Sequence, residues 1–125
     1  MSKFKAQGFF GTFKNARKGF RLVVRSEMNI RVHLIIAVLV LISAYLMNFS
    51  ALEYCTLIFA IAFVIISEML NTAIEFALDS IYHNKYSRMV GMAKDISAGA
   101  VMFATFISIL VGIILFGSKL LDCLF

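Results

Sequence analysis

Residues 32–52 contain no Lys, Arg, Asp or Glu, and neither do residues 96–116. Each stretch is as long as the roughly 20 residues that an α-helix needs to cross the hydrocarbon core of a bilayer. In lipid every backbone N–H and C=O must be satisfied internally, which leaves helices and closed barrels as spanning structures. Nothing in the chain alternates polar and apolar at period two, and Pro and Trp are absent, so helices are expected and a barrel is not. A further apolar run begins near residue 54 and stays apolar to residue 66, and its helical pattern meets no breaker until about residue 82. The chain is 62% hydrophobic and 15% charged, with a mean hydropathy of +0.93. A soluble domain of 125 residues could not bury that much apolar surface. The expected fold is an all-α membrane protein, one domain over residues 1–125, with three transmembrane helices at about 30–49, 54–81 and 95–117.

Ahead of the first span, Phe9, Phe13, Ala16, Phe20 and Val23 or Val24 recur at helical spacing, while Lys14, Arg17, Lys18, Arg21 and Arg25 fill the remainder. This pattern predicts an N-terminal amphipathic surface helix over about 9–28, lying on the membrane face. A disordered basic leader is the alternative. Eight of the twelve Lys and Arg residues fall within residues 3–31. The link after the first span carries no basic residue, whereas the link after the second carries Lys85 and Arg88 with Lys94 at its end. The positive-inside rule then puts the N-terminus and the second link in the cytoplasm and the C-terminus outside. The net charge of +5 therefore reads as an anchoring signal toward the lipid bilayer, with no nucleic acid as partner. No cleavable signal is evident. Cys55 and Cys123 have no metal-ligand spacing, and a structural role is expected for both.

The stretch SEMLNTAIEFALD, residues 67–79, puts charge at the end of an apolar helix. Glu68, Asn71, Glu75 and Asp79 are spaced by three, four and four, which lines them along one helix face. Three carboxylates on one seam repel one another unless something positive lies between them. A divalent metal is the economical answer, since Mg²⁺ binds through one or two carboxylates plus substrate phosphates. Lys94 and Asp95 open the third span from the same side, and Glu27 ends the surface helix there. A plain structural alternative is interhelical ion pairing, with Lys94 answering Glu75 or Asp79. His33, one turn into the first span, could line such a site or simply sit at the interface. No His/Cys cluster suits zinc, and neither a Walker-type phosphate loop nor a protein-kinase signature is present.

These residues together resemble a known family. Glu68-x-x-Asn71-Thr72-Ala73-x-Glu75, then Asp79, then Ala93-Lys94-Asp95-x-x-Ala98-Gly99-Ala100-Val101 is similar to the small prokaryotic diacylglycerol kinase and undecaprenol kinase family. Lys18-Gly19-x-Arg21 and Glu27-x-Asn29-x-Arg31-x-His33 match as well, and the last segment looks more like the undecaprenol kinase branch. The resemblance covers about residues 13–116. It implies a homotrimer in the bacterial inner membrane that phosphorylates a lipid alcohol, undecaprenol or diacylglycerol, with ATP and Mg²⁺ at the cytoplasmic face. It further implies Glu68 as catalytic base and Glu27 and Glu75 as metal ligands. Asn71, Asp79, Tyr86, Lys94 and Asp95 are implied as ATP contacts, and Arg21, Asn29, Glu68 and Ala98 as substrate contacts. The link between Asp79 and Lys94 is one residue longer than is usual in the family, and Tyr86 is matched there to a nucleotide contact. From another class, membrane carboxylates also suit a small proton-coupled transporter, although a carrier would set its site near the midplane rather than at one end. A non-enzymatic assembly subunit is a third possibility.

Overall fold

In the computed structural model, which describes residues 8–83, 85 and 87–125, the chain forms four helices. They are α1 (Phe9–Ser26), α2 (Met28–Leu46), α3 (Ala51–Tyr82) and α4 (Arg88–Leu124). Three of them, α2, α3 and α4, are long and apolar enough to cross a membrane. Their bounds differ from the sequence expectation at the ends. The turn at Met47–Asn48, with Asn48 at a left-handed φ of 58°, stops α2 before residue 49. Helix α3 starts earlier than expected because Ser50 and Glu53 form a capping box, each side chain bonded to the other's backbone N–H. Helix α4 runs well past residue 117 because no Pro and no αL glycine interrupts it.

Helices α3 and α4 make the most extensive packing and run antiparallel. Their contacts step in opposite directions along the two helices: Asp79 with Lys94, Asn71 with Ser97, the Ala60 carbonyl with Ser108, and Glu53 with Lys119. Helix α2 lies against α3 with Ala44 near Leu57 and His33 near Glu68. Buried positions recur every seven residues along α2 (Ile30, Ala37, Ala44) and α4 (Val90, Ser97, Ala104), while on α3 Leu57 and Val64 are followed by Glu68 and Thr72 at steps of four. This is the seam expected of helices crossing at a shallow angle. Ala37, Ala44 and Ala104 let the backbones approach closely where lipid gives no hydrophobic drive for packing. Of the small residues Ala98, Gly99, Ala100 and Ala104 on α4, only Ala104 is buried within the chain. Ala98 and Ala100 are exposed, and a Cβ at Gly99 would meet nothing within 4 Å.

The accessible surface is 9646 Å², against about 6,700 Å² for a folded soluble monomer of this mass. The excess is apolar: Leu39, Phe59, Leu70, Phe103 and Ile113 all point outward. Lipid is the medium that accepts such a surface.

Glu27 separates α1 from α2 in an extended conformation (φ −115°, ψ 115°), so it lies between the two helices rather than ending α1. The bend is pinned by Arg31, whose guanidinium donates to the carbonyls of Val24 at 3.0 Å and Arg25 at 2.8 Å. Those carbonyls belong to the last turn of α1, which has no helical partner for them, and a cation there also suits the helix dipole. At the opposite end of the bundle Lys119 reaches Glu53 and the Asn48 carbonyl, both at 3.2 Å.

Because Ala44 is fully buried against Phe49 and Leu57, Ala44→Leu is expected to destabilise the bundle by about 1–3 kcal/mol. Its exposed neighbour Leu46→Ala should change stability by less than about 0.5 kcal/mol. Reversible unfolding in detergent, followed by far-UV circular dichroism, measures both.

Candidate functional site

Helix α3 carries the polar seam, and its neighbours answer Glu68, Asn71 and Asp79 in turn. Glu68 is almost wholly buried, and its Oε1 lies 3.0 Å from Nε2 of His33 on α2. Its other oxygen, Oε2, is buried and has no hydrogen-bond partner among the described residues. One turn on, Asn71 Oδ1 accepts from the Ser97 hydroxyl at 2.7 Å. Near the end of the helix Asp79 accepts from Lys94 Nζ at 2.7 Å. Burial is lower at the far end of the seam: the Glu68 side chain is 8% exposed and that of Asp79 is 38%.

Three cavities surround this seam. An apolar groove of about 370 Å³ lies between α2, α3 and α4, lined by residues such as Ile36, Val40, Ile61, Val64 and Ile109, with His33 the polar residue nearest Glu68. A small cavity of about 40 Å³ is bounded by Glu27, Asn29, Ile30, Glu68, Asn71, Thr72 and Val101. A polar cavity of about 290 Å³ opens at the α3–α4 turn between Asp79, Tyr82, Lys85, Gly91, Lys94 and Asp95. A greasy channel, a carboxylate-lined neck and a charged mouth thus follow one another along α3.

Most of the residues picked out in the sequence meet around these cavities. Glu27, Asn29, Glu68 and Asn71 share the neck, and Asp79, Lys94 and Asp95 share the mouth. Glu75 is half-buried between them on the seam. Arg21 on α1 and Ala98 on α4 are exposed and line none of the three. Tyr86 lies outside the described residues. The Asp79–Lys94 contact is the ion pair that the structural alternative anticipated, so Lys94 serves that pair in the chain as it stands. His33 was left open by the sequence and is the partner of Glu68. Ser97 and Thr72 were missed, although both lie at helical spacing from recognised residues: Ser97 three after Lys94, and Thr72 four after Glu68.

Among the described residues no three His, Cys, Asp or Glu side chains come close enough to form a metal cage. The donor set of the neck is nonetheless all oxygen, from Glu27, Asn29, Glu68, Asn71 and Thr72 apart from amide nitrogens. Oxygen donors of this kind suit a hard cation whose remaining ligands come from phosphate.

Residues 14–116 match the family described as prokaryotic diacylglycerol kinase. The chain belongs to that family. It is 36% identical over 112 residues to the undecaprenol kinase of Bacillus subtilis, covering 90% of each chain. It is 32% identical over 101 residues to the diacylglycerol kinase of a Synechocystis species, covering 81% of this chain and 58% of that one. With the diacylglycerol kinase of Escherichia coli K12 it shares 31% identity over 101 residues, covering 81% and 82%. The chain is therefore a kinase of a lipid-kinase family, a multi-pass membrane protein with ATP as the phosphoryl donor that such a family implies. The transporter alternative gains no support from these relatives.

Both members of the Asp79–Lys94 pair are more than a third exposed, and such pairs contribute little to stability. A double-mutant cycle with Asp79→Asn and Lys94→Met is expected to give a coupling free energy below about 1 kcal/mol in detergent unfolding. A larger coupling would assign the pair to holding the fold together.

Proposed function

We propose that this chain acts as one integral-membrane domain. It transfers the terminal phosphoryl group of ATP to the hydroxyl of a membrane lipid alcohol at the cytoplasmic face, with undecaprenol as the preferred acceptor. The observation that carries this is the position of the Glu68 carboxylate. It stands between an apolar groove and a charged mouth, with one oxygen held by His33 and the other without a hydrogen-bond partner among the described residues. A lipid hydroxyl arriving from the bilayer and a nucleotide arriving from water can meet only at such a boundary. The Glu-x-Asn-x-Arg-x-His segment and the 36% identity to an undecaprenol kinase, against 31–32% to diacylglycerol kinases, support undecaprenol over diacylglycerol.

Phosphoryl transfer asks a protein mainly for positioning and charge neutralisation. Glu68 accepts the proton of the lipid hydroxyl as its oxygen forms a bond to the γ-phosphorus. The bond from that phosphorus to the bridging oxygen breaks, and ADP leaves with the electron pair. Lys94 and Lys85, at the charged mouth, draw the triphosphate in and offset its charge. Asp79, Asn71 and Asp95 line the nucleotide's path, and Tyr86 is assigned to the same task. Glu27 and Glu75 would hold Mg²⁺, which when bound neutralises phosphate charge. Arg21, Asn29 and Ala98 are assigned to the lipid's polar end. Because Arg21 and Ala98 line none of the cavities of a single chain, this assignment goes with assembly into a homotrimer. The exposed small residues Ala98 and Ala100 suit close contact with a neighbouring copy. Helix α1, with Phe9, Phe13 and Phe20 exposed and basic residues between them, would lie on the cytoplasmic surface of the inner membrane, leaving the C-terminus outside.

Purified protein with labelled ATP, Mg²⁺ and a panel of lipid alcohols in mixed micelles tests the proposal. Undecaprenyl phosphate is expected as the main product and phosphatidic acid as a minor one, and the reverse ratio makes the chain a diacylglycerol kinase. Glu68→Gln should lower kcat by about 10²–10⁴-fold with nucleotide binding intact, and chelation of divalent metal should stop transfer. Proton-driven solute flux without any lipid phosphorylation would return the transporter alternative.

A further inference from the structure

We infer that His33 is a positioning residue for Glu68: its Nε2–H holds Oε1 of the carboxylate so that Oε2 is the oxygen presented to the acceptor hydroxyl. The inference rests on the lipid-kinase reading and deepens it.

Three observations meet at this pair. The first is the contact itself, 3.0 Å between His33 Nε2 and Glu68 Oε1. It crosses from α2 to α3, so it fixes the carboxylate relative to a second helix and not merely to its own. The second is that Oε2 is buried with no hydrogen-bond partner among the described residues. A buried carboxylate oxygen without a donor is costly, and a hydroxyl delivered by the substrate is a donor of the right kind. The third is that His33 also lines the apolar groove, while Glu68 lines the neck. The imidazole therefore stands at the point where a lipid following the groove comes within reach of the carboxylate.

The physical need for such a residue follows from the side chain of glutamate. The torsion that turns its carboxylate is broad and roughly two-fold, so nothing intrinsic to Glu68 decides which oxygen faces the substrate. Apolar neighbours such as Val64 and Ile65 cannot decide it either, because they offer no hydrogen bond. One N–H donor on one oxygen removes the freedom. For that purpose His33 needs only an N–H at Nε2 and transfers no proton. The other charged groups near the pair are Glu27, at the α1–α2 bend and facing the same neck, and Arg31, two residues before His33 and already committed to the carbonyls of α1. None of the α4 residues that line these two cavities, Val101 and Thr105 among them, carries a charge. Asn29, Asn71 and Thr72 also border the neck, but none of them is a hydrogen-bond partner of Oε2.

The test is steady-state kinetics with micellar lipid acceptor and ATP. His33→Leu should lower kcat by about 10–100-fold, the scale of a misplaced reacting group, with both KM values within about twofold of the parent. His33→Gln, whose amide N–H reaches as far as Nε2, should stay within about threefold of the parent. His33→Asn, with a shorter reach, should behave like His33→Leu. In a Glu68→Gln background, His33→Leu should cause no further loss, because the group it positions is gone. Equal losses from His33→Leu in both backgrounds overturn the inference, as do equal rates for the Gln and Asn variants. A loss confined to KM does the same. If His33→Leu does not assemble, the Gln–Asn contrast decides alone. Absence of lipid phosphorylation by the parent protein would be a separate failure, that of the kinase reading.

Discussion

Glu68 lies on a helix whose outward residues are Leu, Ile and Phe, and its carboxylate is removed from both water and lipid. An ionisable group at such a depth costs several kcal/mol unless other parts of the protein satisfy it. In this chain the answer comes from a different helix, at His33. The same rule runs down α3: Asn71 is answered by Ser97 and Asp79 by Lys94, both on α4. Each contact joins α3 to a neighbour, so the polar seam also fixes how the three long helices sit against one another. Hydrogen bonds between membrane helices are modest one at a time, about 0.6 kcal/mol on average. Their value lies in register, because a polar group shifted by one turn would face lipid without a partner.

The opposite end of the bundle solves a similar problem with other residues. The capping box of Ser50 and Glu53 satisfies the first turn of α3, and Glu53 then holds Lys119 of α4. Lys119 also reaches the Asn48 carbonyl and lies near the Phe49 ring, 6.0 Å from its centroid. The Phe49 and Phe116 rings meet at a tilt of 45° with centroids 4.9 Å apart. Between the two polar ends, Ser108 bonding to the Ala60 carbonyl is the main polar link from α3 to α4. The middle is held by packing of small and branched side chains along a seven-residue repeat, which leaves room for the apolar groove.

The three spans were legible because length and charge-free runs are set by the bilayer and depend on no tertiary contact. The seam was legible for a related reason: spacings of three, four and four put groups on one helix face whatever surrounds it. Which neighbour answers each group was not legible. Helical spacing gives a face but not the helix that covers it, so His33 stayed ambiguous and Ser97 passed unnoticed. Ser50-x-x-Glu53 carries a capping-box spacing in the sequence itself, whereas the reach of Lys119 to Glu53 depends on how α4 folds back. Ala98, Gly99, Ala100 and Ala104 lie close together in the sequence of the third span, yet of the four only Ala104 is buried within the chain.

The lengths of α3 and α4 explain why the chemistry gathers at one end. At 1.5 Å per residue, the 32 residues of α3 extend for about 48 Å, while a hydrocarbon core is about 30 Å thick. Counted from Ala51, roughly the first 20 residues fill that core, and the remainder, from about Leu70 onward, stands in the headgroup layer and beyond. Glu68 then falls just inside the boundary, and Glu75 and Asp79 fall outside it. The fall in burial from Glu68 to Asp79 follows the same order. A single continuous helix thus carries Glu68, Glu75 and Asp79 from its apolar stretch to its polar end. Its rigidity keeps them on one line, so the spacing of the three carboxylates is set by backbone geometry rather than by a flexible loop.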